Sequence, residues 1–369
     1  MDHPMYLNKA FILAKKANPK LVRPNPMVGA LVVNSNGVIL GEGYHQQAGG
    51  PHAEVFAIQH ALQQTEDLSQ TTLYVTLEPC SHHGKTPPCT DLIIQHKIPR
   101  VVIGSTDPNP VVAGMEVLKQ HGVEVLIVLH PEIAQLNRVF TVNQLKKRPF
   151  VQIKTAMTLD GKIADRSGKS QWITNETSRY FVHEKLRSQT DAILTTAATL
   201  IADNAKLDIR LLNKPAKELS VLVIDREGVL LQPSNRQLSV FYPRAHSKIY
   251  LLTKTMSNDA VSDIPPNVEL IPCAFDDNGW LKLEGLGEQL LQKGIYHLMT
   301  EAGAVLNTFL LQQQWADEWC CFVAPRLLMD QNAPSVFQTT QAISLEDTTS
   351  FTLLESLQLE GDVLLRYQI

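Results

Sequence analysis

The chain has 369 residues, a length that exceeds one average hydrophobic core and predicts two domains. Its net charge is −4 and it contains no basic block, which argues against electrostatic binding to nucleic acid. No apolar run is long enough to cross a membrane, residues 1–20 lack a signal-peptide core, and five cysteines form no even disulfide set, so we expect a cytoplasmic protein without a membrane partner.

Residues 1–129 predict one mixed sheet. Apolar residues at helical spacing predict a helix over residues 6–17, and an Asn-Ser-Asn-Gly turn joins strands at 28–34 and 38–43. Asn25 lies between two prolines, and on its own it is most simply a turn residue. Beyond residue 50 the pattern completes the order β-β-α-β-α-β-α-β, with helices on both faces of the sheet.

His52, Glu54, Cys80 and Cys89 carry the most specific chemistry of this region. One imidazole and two thiols are the ligands of a zinc site that keeps its fourth position for water. Glu54 is not needed as a ligand and is therefore available to move protons. This combination is that of the zinc nucleobase deaminases.

Two other interpretations of these residues remain open. The cysteines could be buried apolar residues, or the zinc could be structural, with His82 or His83 as a fourth ligand. The local context favours catalysis. A predicted strand at 72–77 ends just before Cys80, and a predicted helix begins beside Cys89, where the helix dipole favours a thiolate. Strand ends and helix starts are where open α/β sheets place their active sites.

A second α/β pattern follows residues 138–148, which are polar and basic and which we predict to be a linker. Strands are predicted at 150–156, 191–195, 219–225, 248–253 and 295–301, helices at 178–187 and 305–313, and a terminal hairpin over 351–368. Gly303 stands between a strand and a helix start. Such a turn can cradle a phosphate, although one glycine there is a weak signal.

The first half resembles the deaminase half of the bifunctional riboflavin-biosynthesis deaminase/reductases. The motifs that carry this resemblance are RPNPMVGA, HAE, LEPCSHHGKTPPC and DPNP, in that order. The eight residues between the two cysteines are the most specific feature, since most zinc nucleobase deaminases have two. The resemblance implies a cytidine-deaminase-like α/β/α mixed sheet, with zinc on His52, Cys80 and Cys89 and Glu54 as the proton shuttle. It also implies a substrate site formed by Asn25, His45, His82, Lys85 and Asn109.

The second half resembles the reductase half of the same family, whose fold is dihydrofolate-reductase-like α/β. The matching stretches are KTAMTLDGKIA, SGKSQWIT, ILTTAATLIADNAKLDIR and TEAGAVLN. The resemblance implies that NADPH lies against Ala156, Trp172, Thr199, Asp203, Gly303, Ala304, Val305, Leu306, Asn307, Thr308 and Phe309. It implies that the phosphoribosyl substrate meets Ser170, Arg187, Leu207, Arg210 and Glu301. Lys154 lies near the reacting carbon by the same resemblance, and Lys154 and Asp203 are the candidate proton donors.

These expectations combine into two enzymes on one chain, a zinc-dependent pyrimidine deaminase domain over residues 1–146 and an NADPH-dependent reductase domain over 147–369. The substrate would be a phosphoribosyl pyrimidine, and the resemblance implies a homodimer or higher homo-oligomer. A deaminase of RNA or DNA is a rival that the acidic balance and the long insert oppose. A non-enzymatic, zinc-stabilised binding protein is another rival, which a closed shell of four protein ligands would favour.

Overall fold

The computed structural model describes residues 2–83, 87–241, 247–254, 264–339 and 343–369. The chain divides into two units, Met1–Arg148 and Pro149–Ile369. No helix in these described ranges is long and apolar enough to cross a membrane.

The first unit is built on a five-stranded sheet. Its strands are β1 (Gly29–Asn34), β2 (Ile39–Tyr44), β3 (Thr71–Val75), β4 (Arg100–Ile103) and β5 (Glu124–Ile127). They lie in the order β2-β1-β3-β4-β5. β1 pairs antiparallel with β2 and β3, whereas β3, β4 and β5 run parallel. The predicted mixed sheet and order of elements are confirmed.

Helices cover this sheet and bury their apolar residues against it. They are α1 (His3–Ala14), α2 (Pro19–Val22), α3 (Ala53–Leu62), α4 (Cys89–Gln95), α5 (Gly114–Gln120), α6 (Pro131–Leu136) and α7 (Arg138–Lys146). α3 lies close to β2 because Gly43 has no side chain: a Cβ there would come within 2.6 Å of the Ala53 carbonyl oxygen. This close approach fixes the first turn of α3.

The predicted linker at residues 138–148 is wrong, because most of this segment is helix α7. Phe140 packs against the hydrophobic core of the first unit, and Asn143 is buried. Basic residues at the carboxyl end of α7 suggested a linker from composition alone. They instead suit the negative end of the helix dipole.

The second unit contains a nine-stranded sheet. Its strands are β6 (Phe150–Thr158), β7 (Ala192–Thr196), β8 (Ser220–Ile224), β9 (Ile249–Thr253), β10 (Val268–Pro272), β11 (His297–Thr300), β12 (Glu318–Ala324), β13 (Thr352–Leu359) and β14 (Asp362–Gln368). They lie in the order β10-β9-β8-β7-β11-β6-β12-β14-β13. The seven strands from β10 to β12 run parallel, and β14 and β13 add an antiparallel edge.

Helices flank this sheet, and buried apolar clusters fill both of its faces. The helices are α8 (Glu176–Phe181), α9 (Ala197–Asp203), α10 (Leu286–Gln292) and α11 (Ala304–Gln312). The helix predicted over 178–187 changes form along its length, because α8 continues into a π-helical turn, Val182–Arg187. The predicted terminal hairpin is confirmed as β13 and β14. Strands β10 and β12 and helix α10 were not predicted.

Candidate active sites

Three side chains of the first unit converge in the manner of a metal site. His52 Nδ1 lies 3.3 Å from Cys89 Sγ and 3.5 Å from Cys80 Sγ, and the three ligand atoms lie within 4.8 Å of one another. Zinc bonds of about 2.0 Å to nitrogen and 2.3 Å to sulfur would separate such atoms by about 3.5 Å in a tetrahedron, so these residues fit zinc. Among the described residues, this group contains neither His82 nor His83.

Helix starts position two of the three ligands. His52 occupies the N-cap position of α3, but its side chain makes no hydrogen bond to the helix. Its imidazole lies against the two cysteines instead. Cys89 is the first residue of α4, and its backbone N–H donates to Cys80 Sγ at 3.3 Å. The hydrogen bond between the two thiols lowers the pKa of Cys80 to about 4 and raises that of Cys89, so the pair shares one proton, with the thiolate on Cys80.

Glu54 faces a cavity of about 310 Å³ beside these ligands. The residue is 4% exposed, and burial raises the pKa of its carboxyl group. A carboxyl with a raised pKa is suited to take up and return protons near neutral pH. The cavity is also lined by four of the predicted substrate residues: Asn25, His45, His82 and Asn109. Lys85, the fifth, lies outside the described residues.

Asn25 and His45 form a hydrogen-bonded chain in this cavity. His45 Nδ1 lies 3.0 Å from the Pro51 carbonyl oxygen, to which it must donate, so neutral His45 presents an acceptor at Nε2. Asn25 Nδ2 lies 3.1 Å from that Nε2 and donates to it. Burial lowers the pKa of His45, which favours this neutral form. The amide oxygen of Asn25 therefore remains as an acceptor for a ligand.

Glu78 also lines the cavity and holds the loop that carries Asn109. Sequence reasoning did not identify this role. The Glu78 carboxylate accepts from the backbone N–H groups of Met115, at 3.1 Å, and Asp107, at 3.3 Å. Asp107 in turn accepts from the backbone N–H of Asn109 at 2.8 Å. Gly114 permits this packing, because a Cβ there would lie 1.9 Å from the Pro79 carbonyl oxygen. The loop that carries Asn109 is thereby held by a buried carboxylate.

Residues beyond β5 complete the same cavity. Asn137 Oδ1 accepts from Met27 N at 2.8 Å, and its Nδ2 donates to Met27 O at 3.0 Å, which holds the turn that carries Asn25. Phe140 and Gln144 of α7 line the cavity. Sequence reasoning missed Phe140 and Gln144 because residues 138–148 were predicted to be a linker, and Asn137 lies just before that segment.

In the second unit, the predicted cofactor residues lie at the carboxyl ends of three neighbouring parallel strands. Ala156 is near the end of β6, Thr199 follows β7, and Gly303 follows β11, which lies between them. Ligands of open α/β sheets bind at this edge. Asp203, at the end of α9, is partly buried, which raises the pKa of its carboxyl group.

The start of α11 has the features of a phosphate site. Gly303 is its N-cap and offers no side chain to the first N–H groups, and a Cβ added there would meet nothing within 4 Å. Val305 is exposed and Thr308 partly so, whereas Ala304, Leu306, Asn307 and Phe309 are buried. A ligand at this turn would meet Ala304 and Leu306 through their backbone N–H groups, whereas the N–H of Asn307 already donates to the Gly303 carbonyl oxygen at 3.3 Å and Phe309 lies in the second turn. The N–H groups and the space above Gly303 fit a dinucleotide phosphate.

Trp172 is 60% exposed on the same unit. The guanidinium of Arg179 lies over its ring at 4.6 Å, and Arg326 Nη1 donates to its carbonyl oxygen at 3.0 Å. Arg179 therefore covers one face of the indole and Arg326 holds its backbone, and the exposed remainder of the ring is available to a flat ligand. Ser170, two residues earlier, is partly buried.

A buried ion pair joins two of the predicted substrate residues. Arg187 Nε donates to Glu301 Oε1 at 2.6 Å, and Arg187 Nη2 donates to Glu301 Oε2 at 2.8 Å. Burial opposes ionisation of Glu301, but Arg187 outweighs it and holds the pKa of this carboxyl at about 2. Burial lowers the pKa of the nearby Lys154, an effect that the Glu301 carboxylate opposes. An ammonium and a carboxylate thus lie together beside the strand ends.

Leu207 and Arg210 lie in the segment that follows α9. Leu207 is buried and has a φ of 50°, so its backbone is held in the left-handed region, a conformation that favours glycine. Strain of this kind clusters at ligand sites. The Arg210 side chain is 59% exposed. His183 lies against Arg210, and sequence reasoning did not single it out.

Each of the two units matches a known protein family. Residues 2–105 match the model of the cytidine and deoxycytidylate deaminase zinc-binding region, and residues 149–365 match that of the RibD C-terminal domain. The riboflavin biosynthesis protein RibD of Actinobacillus pleuropneumoniae is 39% identical over 99% of this chain and 94% of its own length. That of Escherichia coli (strain K12) is 37% identical over 89% of each chain.

Solved structures agree with these sequence matches. A diaminohydroxyphosphoribosylaminopyrimidine deaminase/5-amino-6-(5-phosphoribosylamino)uracil reductase from Thermotoga maritima superposes with a TM-score of 0.82. It is 38% identical and covers 100% of this chain and 99% of its own. Acinetobacter baumannii RibD, form 2, has a TM-score of 0.80 at 31% identity, over 99% of this chain and 98% of its own. The fold predicted for both halves is confirmed.

Proposed function

The chain belongs to the RibD family of bifunctional riboflavin-biosynthesis deaminase/reductases, and on that premise we propose which residues perform each reaction. The first domain, residues 1–146, hydrolyses the amine at C2 of 2,5-diamino-6-(5-phosphoribosylamino)pyrimidin-4(3H)-one. The second, residues 147–369, reduces the ribosyl group to ribityl with NADPH and gives 5-amino-6-(5-phosphoribitylamino)uracil. The observation that supports this proposal most strongly is that the side chains of His52, Cys80 and Cys89 converge, and that two of them, His52 and Cys80, line one cavity with the buried Glu54.

The deaminase step uses the groups of this cavity. Zinc held by the imidazole and the two thiols supplies an acidified water. Glu54 takes one proton from the attacking water and gives it to a ring nitrogen beside C2. It then takes the second proton, from the hydroxyl group now on C2, and gives it to the amine, which departs as ammonia. Its raised pKa supports both directions of transfer. Asn25, held by His45, accepts a hydrogen bond from the substrate, and His82 and Asn109 line the same cavity. Lys85 is assigned to the substrate from the family resemblance.

The reductase step takes place at the ends of β6, β7 and β11. NADPH supplies the hydride that C1′ of the sugar receives. The backbone N–H groups at the start of α11, with Trp172, Ala156, Thr199 and Asp203, hold and align the cofactor. Ser170, Arg187, Leu207, Arg210 and Glu301 bind the phosphoribosyl substrate.

We assign the proton donor of this step to Lys154 rather than Asp203. As the bond between C1′ and the ring oxygen breaks, that oxygen must gain a proton. Lys154 lies near the Glu301 carboxylate, and burial lowers the pKa of its ammonium group, so that it releases a proton more readily. Burial also raises the pKa of the Asp203 carboxyl group, which would let it hold a proton, and the alkaline pH profile of Lys154→Arg decides between the two residues.

The cellular setting and the assembly belong to the same proposal. Reduced cysteines at a zinc site suit a cytoplasmic location, and all five cysteines are free. A homodimer or higher homo-oligomer is proposed from the family resemblance.

An uncoupled assay tests the proposed function. The zinc-loaded protein is incubated with the diaminopyrimidinone ribonucleotide, first without and then with NADPH, while ammonia and nicotinamide absorbance are followed. Ammonia should appear without cofactor, and NADPH oxidation should begin only when cofactor is added. Ammonia without any NADPH oxidation would reject the reductase assignment, and no ammonia from zinc-loaded protein would reject the deaminase assignment.

A further inference from the structure

His183 has a hydrogen-bonding arrangement that the mechanism above leaves unused. It lies in the π-helical turn Val182–Arg187. Such turns are rare in proteins, and those that occur are often found at functional sites. Its Nδ1 lies 3.1 Å from the backbone nitrogen of Arg210. A backbone N–H can only donate, so Nδ1 must be the acceptor and the ring hydrogen of neutral His183 must be on Nε2.

The other ring nitrogen faces a second donor. His183 Nε2 lies 3.5 Å from Nη2 of Arg210. Since the hydrogen is on Nε2 and a guanidinium has no acceptor, this contact pairs two donors and is not a hydrogen bond. Two donors at this separation are both satisfied when an oxygen acceptor lies between them. An anionic oxygen satisfies them best, because Arg210 is charged.

The surrounding charges keep His183 neutral. They also make the position between His183 Nε2 and Arg210 Nη2 selective for an anion. Burial, and then Arg187 and Arg210, lower the pKa of His183 to about 4, against the opposing influence of Glu301 and Asp208. Arg187 already donates to Glu301 twice and to the Asp208 carbonyl oxygen at 2.6 Å. Arg210 is the more exposed arginine. Its Nε pairs with Asp208 Oδ1 at 3.2 Å, which leaves Nη2, beside His183 Nε2, to face an incoming ligand.

We propose that His183 is a substrate-binding residue of the reductase site, whose Nε2–H and the Arg210 guanidinium together bind the phosphate of the phosphoribosyl substrate. This inference rests on the proposed reductase function and extends it, since it names the groups that distinguish a phosphorylated sugar from a free one. Arg187 then acts chiefly by fixing Glu301.

Two substitutions separate this role from a structural one. In His183→Gln, the side-chain amide reaches the position of Nε2 and can donate there, but the acceptor for Arg210 N is lost. In His183→Asn, the amide reaches the position of Nδ1 and preserves that acceptor, but nothing remains at Nε2. Reductase KM and kcat are measured with the deaminated substrate, with and without its 5′-phosphate.

Loss of a hydrogen bond to a charged group weakens binding on the order of 10- to 100-fold. We expect His183→Asn to raise KM for the phosphorylated substrate by this factor, with kcat and the KM for NADPH nearly unchanged. The KM for the dephosphorylated substrate should not rise, and His183→Gln should remain within about threefold of the wild type.

The opposite ranking, with His183→Asn active and His183→Gln impaired for both substrates, would show that His183 only holds the Arg210 backbone. Wild-type kinetics in both variants would also overturn the inference. Failure of the proposed function itself looks different, because the wild-type protein would then oxidise no NADPH with either substrate.

Discussion

The two units assemble their sites in different ways. In the first unit, the metal-site residues come from a short stretch of chain, residues 52–89, and their backbone geometry follows from two helix starts. In the second unit, Lys154, Arg187 and Glu301 come from separate strands and helices, and an ion pair across 114 residues joins two of them. The first site is formed by residues that are close in the sequence. The second is formed by residues that only the folded sheet brings together.

This difference predicts how each site tolerates change. Removing Glu54 deletes a chemical group but leaves the three ligands in place. Removing Arg187 deletes the counter-charge of a buried carboxylate, which affects the fold as well as the chemistry. Substitutions in the two units should therefore separate loss of rate from loss of stability.

The largest expected effect is that of Glu54→Gln on the deaminase. Without a carboxylate to move protons, the rate of ammonia release should fall about 100- to 10,000-fold. Reductase activity with the deaminated substrate should remain that of the wild type, and zinc content should stay near one ion per chain. Ammonia release is measured without NADPH.

Glu66→Gln, an exposed position beyond α3, is the matched control and should leave both activities unchanged. Ammonia release by Glu54→Gln at the wild-type rate would exclude Glu54 as the proton carrier.

The next effect is on stability and belongs to the second unit. Arg187→Met leaves Glu301 buried without its partner, and we expect the free energy of unfolding to fall by about 3–5 kcal/mol. Arg166→Met removes a pair with the same two-point geometry, at 2.8 and 3.1 Å from Asp330, but on the exposed surface. It should change stability far less. Equal losses in the two variants, measured by denaturant unfolding, would contradict this reading of the buried pair.

The same pair gives stability a defined pH dependence. The pKa of Glu301 is about 2 in the folded protein, below its ordinary value of 4.5, so its contribution to stability is complete above about pH 4.5. That contribution is lost as the pH falls from 4.5 toward 2. Unfolding curves of the wild type should lose this stability in that range, and those of Glu301→Gln should not.

The smallest effect is a change in the pH profile of the reductase. Burial lowers the pKa of Lys154 from its ordinary value of 10.5, despite the opposing charge of Glu301, while Arg187 adds to the lowering and Cys320 opposes it. If the ammonium of Lys154 gives the proton, kcat should fall as the pH rises through this lowered pKa. In Lys154→Arg, which stays charged, kcat should be lower but the alkaline fall should disappear. An unchanged alkaline fall would assign the proton to another group.

The first unit was largely predictable because its signals are local. The spacing of His52, Glu54, Cys80 and Cys89 and the alternation of strands and helices depend on neighbouring residues. Glu78 and Asn137 were not predictable in the same way. Each binds backbone groups brought to it by the fold, and Asn137 is 110 residues from its partner Met27.

The second unit was harder for the same physical reason. β12 was missed because its short apolar run is also consistent with a buried helix, and because it begins at the charged Glu318. That glutamate is buried in the sheet, where Gln152 and Arg366 donate to it from 166 and 48 residues away. His183 likewise gained its significance from Arg210, which the fold places beside it.

The double hydrogen bond between Asn137 and Met27 has a consequence for the order of folding. During synthesis the chain emerges from its N-terminus, so the five strands of the first sheet are available before this clamp can form. Until α7 has left the ribosome, the turn that carries Asn25 lacks this clamp, although Asn25 can already bind His45, and the cavity lacks the wall formed by Phe140 and Gln144. A nascent chain ending at residue 105 should therefore contain every proposed zinc ligand but only an incomplete pocket for the pyrimidine.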